Sequence, residues 1–427
     1  MSPPLEQVCD VVVVGAGPAG LAAAAAASGA GRRVIVLDQG IRPGGQIWRH
    51  RDRSALPTAA HHLMNEAKRS VIIPGARVID GRSPHDLLVD VGGVAHRVRA
   101  TALVIATGAR ERFVPFPGWT LPGVVGIGGL QALIKSGLDV KGARIVIAGT
   151  GPLLLPVAAT AARAGANVRI VAEQVPFRRL ARFGLSMLGR PRAIAQAIRY
   201  RIAFRHSSFA TDSWILRAEG SSAVNTVLLR RGGAVEHVAC DWLATSAGLI
   251  PDTELAQLFG CAIGNDAIVV DAEQGTSVAG VWAAGECTGV AGDAAAIVEG
   301  TIAGAAAAGS NAVTPRARRH QESGRAFARR LELTFAPRPE LLALADATTV
   351  LCRCEDIAVG AIDPSWSQRQ AKLWTRVGMG ECQGAVCGPA CQSLFGWTLN
   401  RPRAPLGTPR CATWADALQH ANPDDAR

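Results

Sequence analysis

Residues Val11–Gly20 read VVVVGAGPAG, and this stretch decides the fold class. Its four β-branched residues predict a buried parallel strand, and its three glycines fit the G-x-G-x-x-G pattern of a phosphate-binding turn. An Ala-rich run to about Ala30 predicts the helix that follows, and Val34–Leu37 predicts a second strand that ends at Asp38. Strand, turn, helix, strand and terminal acid together indicate a dinucleotide-binding unit in a protein of the α/β class.

Each part of this unit has a physical task. The first glycine permits a tight turn, the second lets a pyrophosphate approach the backbone, and the third lets the helix pack against the strand. The helix N-terminus supplies free N–H groups and the positive end of its dipole. The acid at the strand end can accept hydrogen bonds from a ribose diol, and it disfavours a 2′-phosphate. The candidate cofactor-binding residues are Gly15, Gly17, Pro18, Ala19, Gly20, Asp38 and Gln39.

Composition and charge limit the classes of protein to which this chain can belong. The 427 residues suit two or three domains, and 48% hydrophobic against 19% charged residues excludes wholesale disorder. The net charge is +11, but the basic residues are spread along the chain, only one residue is Tyr, and we find no nucleic-acid-reading motif. We therefore expect anionic cofactors or an acidic partner subunit, and no nucleic acid.

The most apolar stretch does not predict a membrane span. Residues Val11 to Gly31 carry no charge over 21 positions, but three glycines and a proline interrupt them near their start. A strand, a turn and a helix account for this pattern better than a bilayer helix does. The opening residues also lack the pattern of a secretory signal. We expect no transmembrane segment and a cytoplasmic protein, peripheral at the inner membrane only through a complex.

A second unit of the same kind begins near Arg144. Ile145–Ala148 predicts its strand, and residues 149–154, GTGPLL, predict its turn. Leu154 stands where the third glycine belongs, so we expect the helix to be pushed away from the strand or the turn to differ. The residues placed to bind a nucleotide here are Gly149, Gly151 and Glu173, which ends the following strand. NAD, ATP and no ligand at all remain open alternatives.

The chain then returns to the first domain. Gly280–Ala284 predicts a strand and Ala294–Ala308 a helix, after which an Arg-rich helix over Arg316–Leu333 leads to a Cys-rich segment. The predicted domains are a first nucleotide-binding domain in two segments, 1–114 and 246–312, an inserted NAD-like domain at 115–245, a helical linker at 313–349, a Cys-rich module at 350–397 and a C-terminal tail at 398–427.

Five of the ten cysteines lie in one short segment. Cys352 and Cys354 form a C-x-C pair, and Cys382 and Cys387 form a C-x4-C pair 27 residues later, with Cys391 following. Four thiolates in two close pairs can hold zinc or an iron–sulfur cluster, and neighbouring glycines would let backbone N–H groups approach the sulfurs. No such pair precedes this segment, so a disulfide-reductase mechanism is disfavoured.

Three further segments resemble the FAD-binding segments of two-dinucleotide-domain flavoproteins, the glutathione-reductase-like group. They are Gly44-Gly45-Gln46, Ala106-Thr107-Gly108 and Gly280–Glu286, which reads GVWAAGE. The resemblance implies FAD in the first domain, with a late acid near the ribityl or phosphate part of the flavin. Most members have Asp there, and this chain has Glu. The FAD contacts implied by the resemblance are Gly45, Gln46, Thr107, Gly108, Gly285 and Glu286.

The cysteine spacing resembles the small Bfd-like [2Fe-2S]-binding domain. That domain usually closes with C-x-x-C, whereas this chain has C-x4-C. The cluster ligands implied by the resemblance are Cys352, Cys354, Cys382 and Cys387, with Cys391 in reserve.

The combination of segments resembles one group more closely. GGQIWR at Gly44–Arg49, PGWTLPGV at Pro117–Val124, CRCE at Cys352–Glu355 and GMGECQG at Gly378–Gly384 look like the FAD and iron–sulfur subunit of heteromeric amine and amino-acid dehydrogenases. This group includes opine oxidases, hydrogen cyanide synthase, dye-linked proline dehydrogenase and D-hydroxyproline dehydrogenase. The resemblance covers about residues 8 to 397.

In that group a second, D-amino-acid-oxidase-like flavin subunit oxidises the amine. The resemblance implies an oxidoreductase acting on CH–NH donors, in which this chain relays electrons from that partner to an acceptor. A small ferredoxin-like subunit is a further expected partner. The Arg-rich residues 178–205 are either a solvated basic face or, alternatively, a docking surface or a clamp on the phosphate of an FMN at a subunit boundary. We predict no catalytic residue, because we find no acid–base pair or activated nucleophile.

Two alternatives come from other classes of protein. A self-sufficient NAD(P)H-dependent FAD and iron–sulfur reductase would bind nicotinamide at the second turn, and NADH alone would bleach its flavin. A non-catalytic assembly module would carry relic nucleotide sites and would be colourless even when iron is supplied.

Overall fold

The computed structural model describes residues 6–50, 56–310, 314–397 and 402–419. The strands in these ranges, β1 to β21 in chain order, are Glu6–Val14, Val34–Asp38, Val71–Pro74, Ala76–Ser83, Asp86–Val91, Val94–Ile105, Ala109–Glu111, Val124–Gly126, Arg144–Gly149, Asn167–Glu173, Ser208–Ala210, Ser213–Glu219, Thr226–Arg231, Ala234–Ala239, Trp242–Ser246, Leu249–Pro251, Ile263–Gly264, Ala267–Ile268, Val281–Ala283, Val350–Cys352 and Ile357–Ala358. The α-helices, α1 to α13, are Pro18–Gly29, Thr58–Glu66, Ile127–Lys135, Leu154–Arg163, Phe177–Ser186, Pro191–Ala203, Glu254–Leu258, Asp293–Ala307, Pro315–Phe335, Pro339–Leu342, Gln368–Thr375, Cys387–Phe395 and Cys411–Gln419.

The first of two compact units comprises Met1–Arg110, Ile250–Ala328 and Arg401–Arg427. Its sheet has the order β3-β2-β1-β6-β5-β4, and β19 also pairs with β6. Strands β1, β2, β3, β6 and β19 run parallel, whereas β4 and β5 add antiparallel pairs. Since β1 lies between β2 and β6, its carboxyl end opens at the kind of crevice where such sheets bind nucleotides.

Small residues bring helix α8 against helix α1 in this unit. A Cβ on Gly300 would lie 2.1 Å from the Ala19 carbonyl oxygen, and one on Gly304 would lie 2.2 Å from that of Ala23. Most of the Ala-rich helix α1 is buried. The two helices therefore cover one face of the sheet closely, with α1 starting directly at the glycine turn.

The second compact unit comprises Glu111–Leu249 and Arg329–Asn400. Its main sheet is parallel, in the order β11-β10-β9-β15-β8, and β12, β13 and β14 form an antiparallel sheet. Helix α4 begins three residues after Gly151, whereas α1 begins directly after Gly17. The second turn therefore differs from the first, as the leucine at its third position predicted.

Two basic helices, α5 and α6, follow strand β10. None of their residues is buried, and the apolar side chains of Phe177, Leu185, Ile198 and Ile202 are exposed. No α-helix in the described ranges is both long enough and apolar enough to span a bilayer.

The Cys-rich segment belongs to the second unit. It has a small core of its own, which includes Leu351, Ala371 and Trp397. The indole N–H of Trp119 donates to the Val350 carbonyl, and Val386 packs against the core of the parallel sheet. The cysteines are therefore held against the inserted nucleotide-like domain.

The C-terminal segment contains a helix, α13, that the sequence did not predict. The Leu406 N–H donates to the Ile79 carbonyl at 2.7 Å, and the Thr413 hydroxyl donates to Asp90 at 3.2 Å. These bonds hold it on the first unit. The remainder of the predicted tail, 398–401 and 420–427, lies outside the described residues.

Candidate cofactor sites

In the first glycine turn, the first and third glycines are tightly packed against the backbone, whereas the second glycine faces open space. Gly15 has a φ of +107°, and a Cβ there would lie 2.3 Å from the Ala106 carbonyl oxygen. A Cβ on Gly20 would lie 1.8 Å from the Gly15 oxygen, but one on Gly17 would meet no atom within 4 Å. The structure thus leaves space beside Gly17 at the N-terminus of α1, where free N–H groups and the helix dipole favour an anion.

Asp38 lies at the end of β2 and is 9% exposed. Its Oδ1 accepts the Gly40 N–H at 3.2 Å, whereas its buried Oδ2 has no hydrogen-bond partner within the described ranges. Burial raises the pKa of this carboxyl, and the Gly40 amide offsets part of the rise. A buried oxygen without a donor is costly, so this carboxylate fits a ribose diol. The neighbouring Gln39 is exposed.

The loop after β2 closes onto the first turn. The Gly44 N–H donates to the Ala16 carbonyl at 2.8 Å. Gly45 has a φ of +59°, and a Cβ there would lie 3.0 Å from the Gly17 Cα. The structure therefore brings Gly45 to the nucleotide turn. Gln46 is exposed on the same loop, and its contact with the flavin stays a prediction.

Thr107 and Gly108 follow β6 and bind Asp252. The Thr107 hydroxyl donates to the Asp252 carbonyl at 2.7 Å, and the Asp252 N–H donates to the Gly108 carbonyl at 2.9 Å. Burial raises the pKa of the Asp252 side chain. Sequence reasoning missed this residue, because its one signal is an acid after the short strand that ends at Pro251.

A second acid supports the segment around Gly285 that the resemblance predicts to bind the flavin. Glu299 on α8 is 4% exposed and accepts the Gly285 N–H at 3.0 Å and the Thr288 hydroxyl at 3.3 Å. Burial raises the pKa of Glu299 to about 7, and it also raises the pKa of Glu286. Glu299 was missed as well, although a lone acid in an Ala- and Gly-rich helix is a usable signal.

Two cysteines of the first unit, Cys9 and Cys287, lie in its core. Cys287 lies close to the Ala284 and Ile105 carbonyls, at 3.3 and 3.5 Å, and burial raises its pKa to about 12. Burial also raises the pKa of Cys9, to about 11. Neither thiol is activated, because a reactive cysteine needs a lowered pKa.

The second turn holds its three predicted residues close together, and one of them, Glu173, binds the amide of another, Gly151. Glu173 is 2% exposed. Its Oε2 accepts the Gly151 N–H at 2.8 Å, and its Oε1 accepts the Val175 N–H at 3.0 Å. Burial raises the pKa of this carboxyl to about 7. Gly149 lies against strand β15, since a Cβ there would lie 2.2 Å from the Ser246 carbonyl oxygen.

The five clustered thiols are neighbours in space. Cys354 contacts Cys382, Cys382 contacts Cys387, and Cys387 contacts Cys391, with Cys352 nearby. The thiol of Cys387 lowers the pKa of Cys382 to about 4, and the same contact raises the pKa of Cys387. Among the residues that the structure describes, no group of three or more Cys, His, Asp or Glu side chains forms a preformed metal site. We call this series of pairwise contacts, together with Cys352, the row of thiols.

Glycines bring the backbone close to these sulfurs. The Gly378 N–H donates to the Cys352 sulfur at 3.5 Å, and a Cβ on Gly378 would lie 3.8 Å from the Cys387 sulfur. A Cβ on Gly380 would lie 2.3 Å from the Cβ of Cys354. An all-thiol donor set with backbone amides beside it fits a metal–sulfur group.

Comparison with known proteins assigns the chain to a family. Residues 9–312 match the pyridine nucleotide-disulphide oxidoreductase family. The A subunit of the opine oxidase of Rhizobium meliloti is 33% identical, over 95% of this chain and 85% of its own length. The HcnB subunit of the hydrogen cyanide synthase of Pseudomonas aeruginosa is 30% identical, over 92% of this chain and 96% of its own length.

A solved structure supports the fold. That of L-proline dehydrogenase from P. horikoshii matches with a TM-score of 0.68 and 17% identity, over 97% of this chain and 80% of that one. The predicted α/β flavoprotein fold and the resemblance to the subunits of heteromeric dehydrogenases are confirmed. The chain is an oxidoreductase of the pyridine nucleotide-disulphide oxidoreductase family, in the group of opine oxidase A subunits and hydrogen cyanide synthase B subunits.

Proposed function

We propose that this chain is the flavin and iron–sulfur subunit of a multi-subunit dehydrogenase that oxidises an amino acid, an imino acid or an opine. One observation carries the proposal, namely an open dinucleotide turn and a row of five thiols on a single chain. Both relatives are subunits by name, which supports the need for a partner.

FAD fits the first turn. The open space beside Gly17 suits a pyrophosphate, and the unpartnered oxygen of Asp38 suits a ribose hydroxyl. The residues proposed to hold FAD are Gly15, Gly17, Pro18, Ala19, Gly20, Asp38, Gln39, Gly45, Gln46, Thr107, Gly108, Gly285 and Glu286. FAD bound there would take up electrons in pairs.

A [2Fe-2S] cluster fits the row of thiols. The proposed ligands are Cys352, Cys354, Cys382 and Cys387, with Cys391 as the alternative fourth ligand. The amide of Gly378, which donates to the Cys352 sulfur, is placed to tune the potential. Such a cluster passes single electrons, which suits a relay beside a flavin.

The partner in this proposal is a D-amino-acid-oxidase-like flavin subunit that oxidises the CH–NH bond. A small ferredoxin-like subunit and an FMN at the boundary between subunits complete the proposed assembly. We place the complex in the cytoplasm, at the inner membrane where its acceptor requires it.

The test is an anaerobic visible spectrum of the isolated full-length chain expressed with iron. We expect flavin bands, broad sulfur-to-iron absorption, and about two irons and two sulfides per chain. Opine or amino acid should bleach these bands only when the partner subunit is present. Bleaching by NADH alone would support the self-sufficient reductase instead. Zinc in place of iron would contradict the proposed electron relay, because zinc does not change its oxidation state.

Cysteine variants sharpen this test. Cys387→Ser should lose the iron absorption and keep the FAD, because Cys387 contacts two of the other thiols. Cys391→Ser decides whether the fifth thiol is a ligand. Cys411→Ser is the matched control, since Cys411 is exposed and lies in α13 of the first unit.

A further inference from the structure

We propose that Glu173 is a specificity-determining residue that closes the second glycine turn to nucleotides, so that this chain accepts no electrons from NADH or NADPH. The inference rests on the proposed function, because it concerns which donor can reduce the flavin.

The Glu173 carboxylate takes the place of a phosphate. In a turn of this kind, the amide of the second glycine faces the pyrophosphate. Here the Gly151 amide donates to Glu173 Oε2 at 2.8 Å, and the other carboxylate oxygen is bonded to the Val175 amide. A phosphate oxygen would have to displace the carboxylate. Glu173 is only 2% exposed, so its carboxylate has little contact with water that could replace these two amide bonds.

Phe335 lies beside the same glycine. A Cβ on Gly151 would lie 3.9 Å from the Phe335 ring, and the Thr150 hydroxyl donates to the Phe335 carbonyl at 3.1 Å. The Phe335 ring packs edge-to-face against Phe183, with 5.0 Å between the ring centroids. The space beside this glycine is therefore bounded by this chain's own side chain and backbone, whereas at the first turn no atom of the described residues lies within 4 Å of the corresponding Cβ.

The residues after Phe335 are fixed over the end of strand β10. The side chain of Gln174, which is 1% exposed, donates to the Ala336 carbonyl at 3.0 Å and accepts the Arg338 N–H at 3.0 Å. The Arg338 guanidinium pairs with Asp212 and lies 4.0 Å from the centre of the Trp214 ring. The segment 335–338 therefore crosses the region where the ribose of a nucleotide would lie.

The length of the acid explains the difference from the first turn. Asp38 also ends its strand, but among the described residues one of its carboxylate oxygens has no partner and the space beside Gly17 is open. Glu173 is longer by one methylene and reaches the amide of Gly151. Shortening Glu173 should therefore free this amide, and trimming Phe335 should open the space in front of it.

The test is calorimetric titration of NADH, NADPH and ATP into the FAD-loaded full chain up to about 1 mM, with the anaerobic flavin spectrum recorded in parallel. The wild type should give no saturable binding and no bleaching. Glu173→Asp combined with Phe335→Ala should bind at least one of these nucleotides at least tenfold more tightly than the wild-type limit. Glu332→Asp, at an exposed position of α9, is the matched control and should stay silent.

Two outcomes overturn the inference. One is saturable NADH binding by the wild type that Gly151→Val abolishes, and the other is a double variant that retains FAD but gains no binding. If the double variant does not fold, hydrogen exchange of residues 149–153 in the wild type decides. Unchanged exchange with 1 mM NADH supports the inference, and new protection overturns it. Failure of the proposed function looks different, since the partner subunit and substrate would then leave the flavin oxidised.

Discussion

The two glycine turns begin from nearly the same sequence, GAGPAG at 15–20 and GTGPLL at 149–154, and they reach opposite states. A Cβ on Gly17 would meet no atom within 4 Å, whereas Gly151 faces Phe335 and donates its amide to Glu173. Within the part of the chain that the structure describes, the acid after the first turn has one oxygen without a partner, whereas both oxygens of the acid after the second turn are bonded. A dinucleotide motif thus indicates the fold of a domain, and the groups facing the turn decide whether it binds.

The largest expected effect comes from a substitution that fills the space at the first turn. Gly17→Val should lower the flavin content of the purified chain more than tenfold, because its side chain would fill the space left for the pyrophosphate. The backbone at Gly17 has a φ of −74°, which valine adopts, so the effect is not one of strain. The measurement is the ratio of flavin to protein absorbance.

Gly151→Val is the matched control for that experiment. It should leave the flavin content unchanged. Because Gly151 has a φ of +97°, valine there should lower the free energy of unfolding by about 1–2 kcal/mol. Equal flavin loss in both variants would contradict the functional difference between the turns.

Lengthening the acid of the first turn should make it resemble the second. Asp38→Glu should weaken FAD binding about tenfold, which corresponds to about 1.4 kcal/mol, because the longer carboxylate can reach the amide of Gly17. The measurement is the dissociation constant from titration of the apoprotein with FAD. Asp38→Asn keeps the length and removes the charge, so it separates reach from charge. A Glu variant that binds FAD like the wild type would refute the argument from length.

The pH dependence of stability should report the buried acids of the second unit. Burial raises the pKa of Glu173 and of Glu111 from 4.5 to about 7. At pH values between these two pKa values, the folded chain holds protons that the unfolded chain has lost. The free energy of unfolding therefore falls as the pH rises from about 5 to 7.5. We expect Glu173→Gln to flatten this fall by on the order of 1–2 kcal/mol.

Melting temperatures of the two proteins across that pH range check this prediction. Glu332→Gln, at an exposed position, should leave the pH dependence as it is in the wild type. Stability that rises with pH over this range would show that both carboxyls are ionised in the folded chain.

Charge reversal on α5 should have the smallest effect and should leave the nucleotide turns alone. Arg178, Arg179 and Arg182 are exposed, and α5 has no buried residue. Changing all three to Glu should weaken association with the partner subunit about threefold or more at low salt, with unchanged flavin content. Gel filtration of the two subunits together measures this, and Arg316→Glu with Arg319→Glu on α9 is the control. If the variant elutes with the partner subunit as the wild type does, α5 is not part of the interface.

Much of the first site could be predicted because its signals are local. The strand, the glycine turn and helix α1 follow from residues within twenty positions of one another, and the predicted helix end at Ala30 lies one residue beyond the observed end. The late segment around Gly285 was found from its similarity to known flavoproteins. Glu299 and Asp252 were not found, because each acts through a backbone group that the chain brings close only on folding.

For the second turn, the sequence predicts the local structure but not whether a nucleotide binds. Leu154 correctly predicted an altered turn, and Glu173 was correctly placed at the end of its strand. However, the same acid at the same position is compatible with a ribose ligand and with a bond to Gly151. The choice depends on the side-chain conformation and on what covers the turn, and neither has a local sequence signal.

Local patterns of residues are therefore sufficient to predict two nucleotide-type domains, a glycine turn of the phosphate-binding pattern in the first, and a group of five cysteines in one short segment. These are patterns of neighbouring residues, which the periodicity of strands and helices makes readable. The position of Phe335 over the second turn is visible only in the tertiary structure, where its carbonyl accepts a hydrogen bond from Thr150, 185 positions earlier in the chain. Such a contact depends on the closure of a long loop and on the packing of its end, and no local pattern records either.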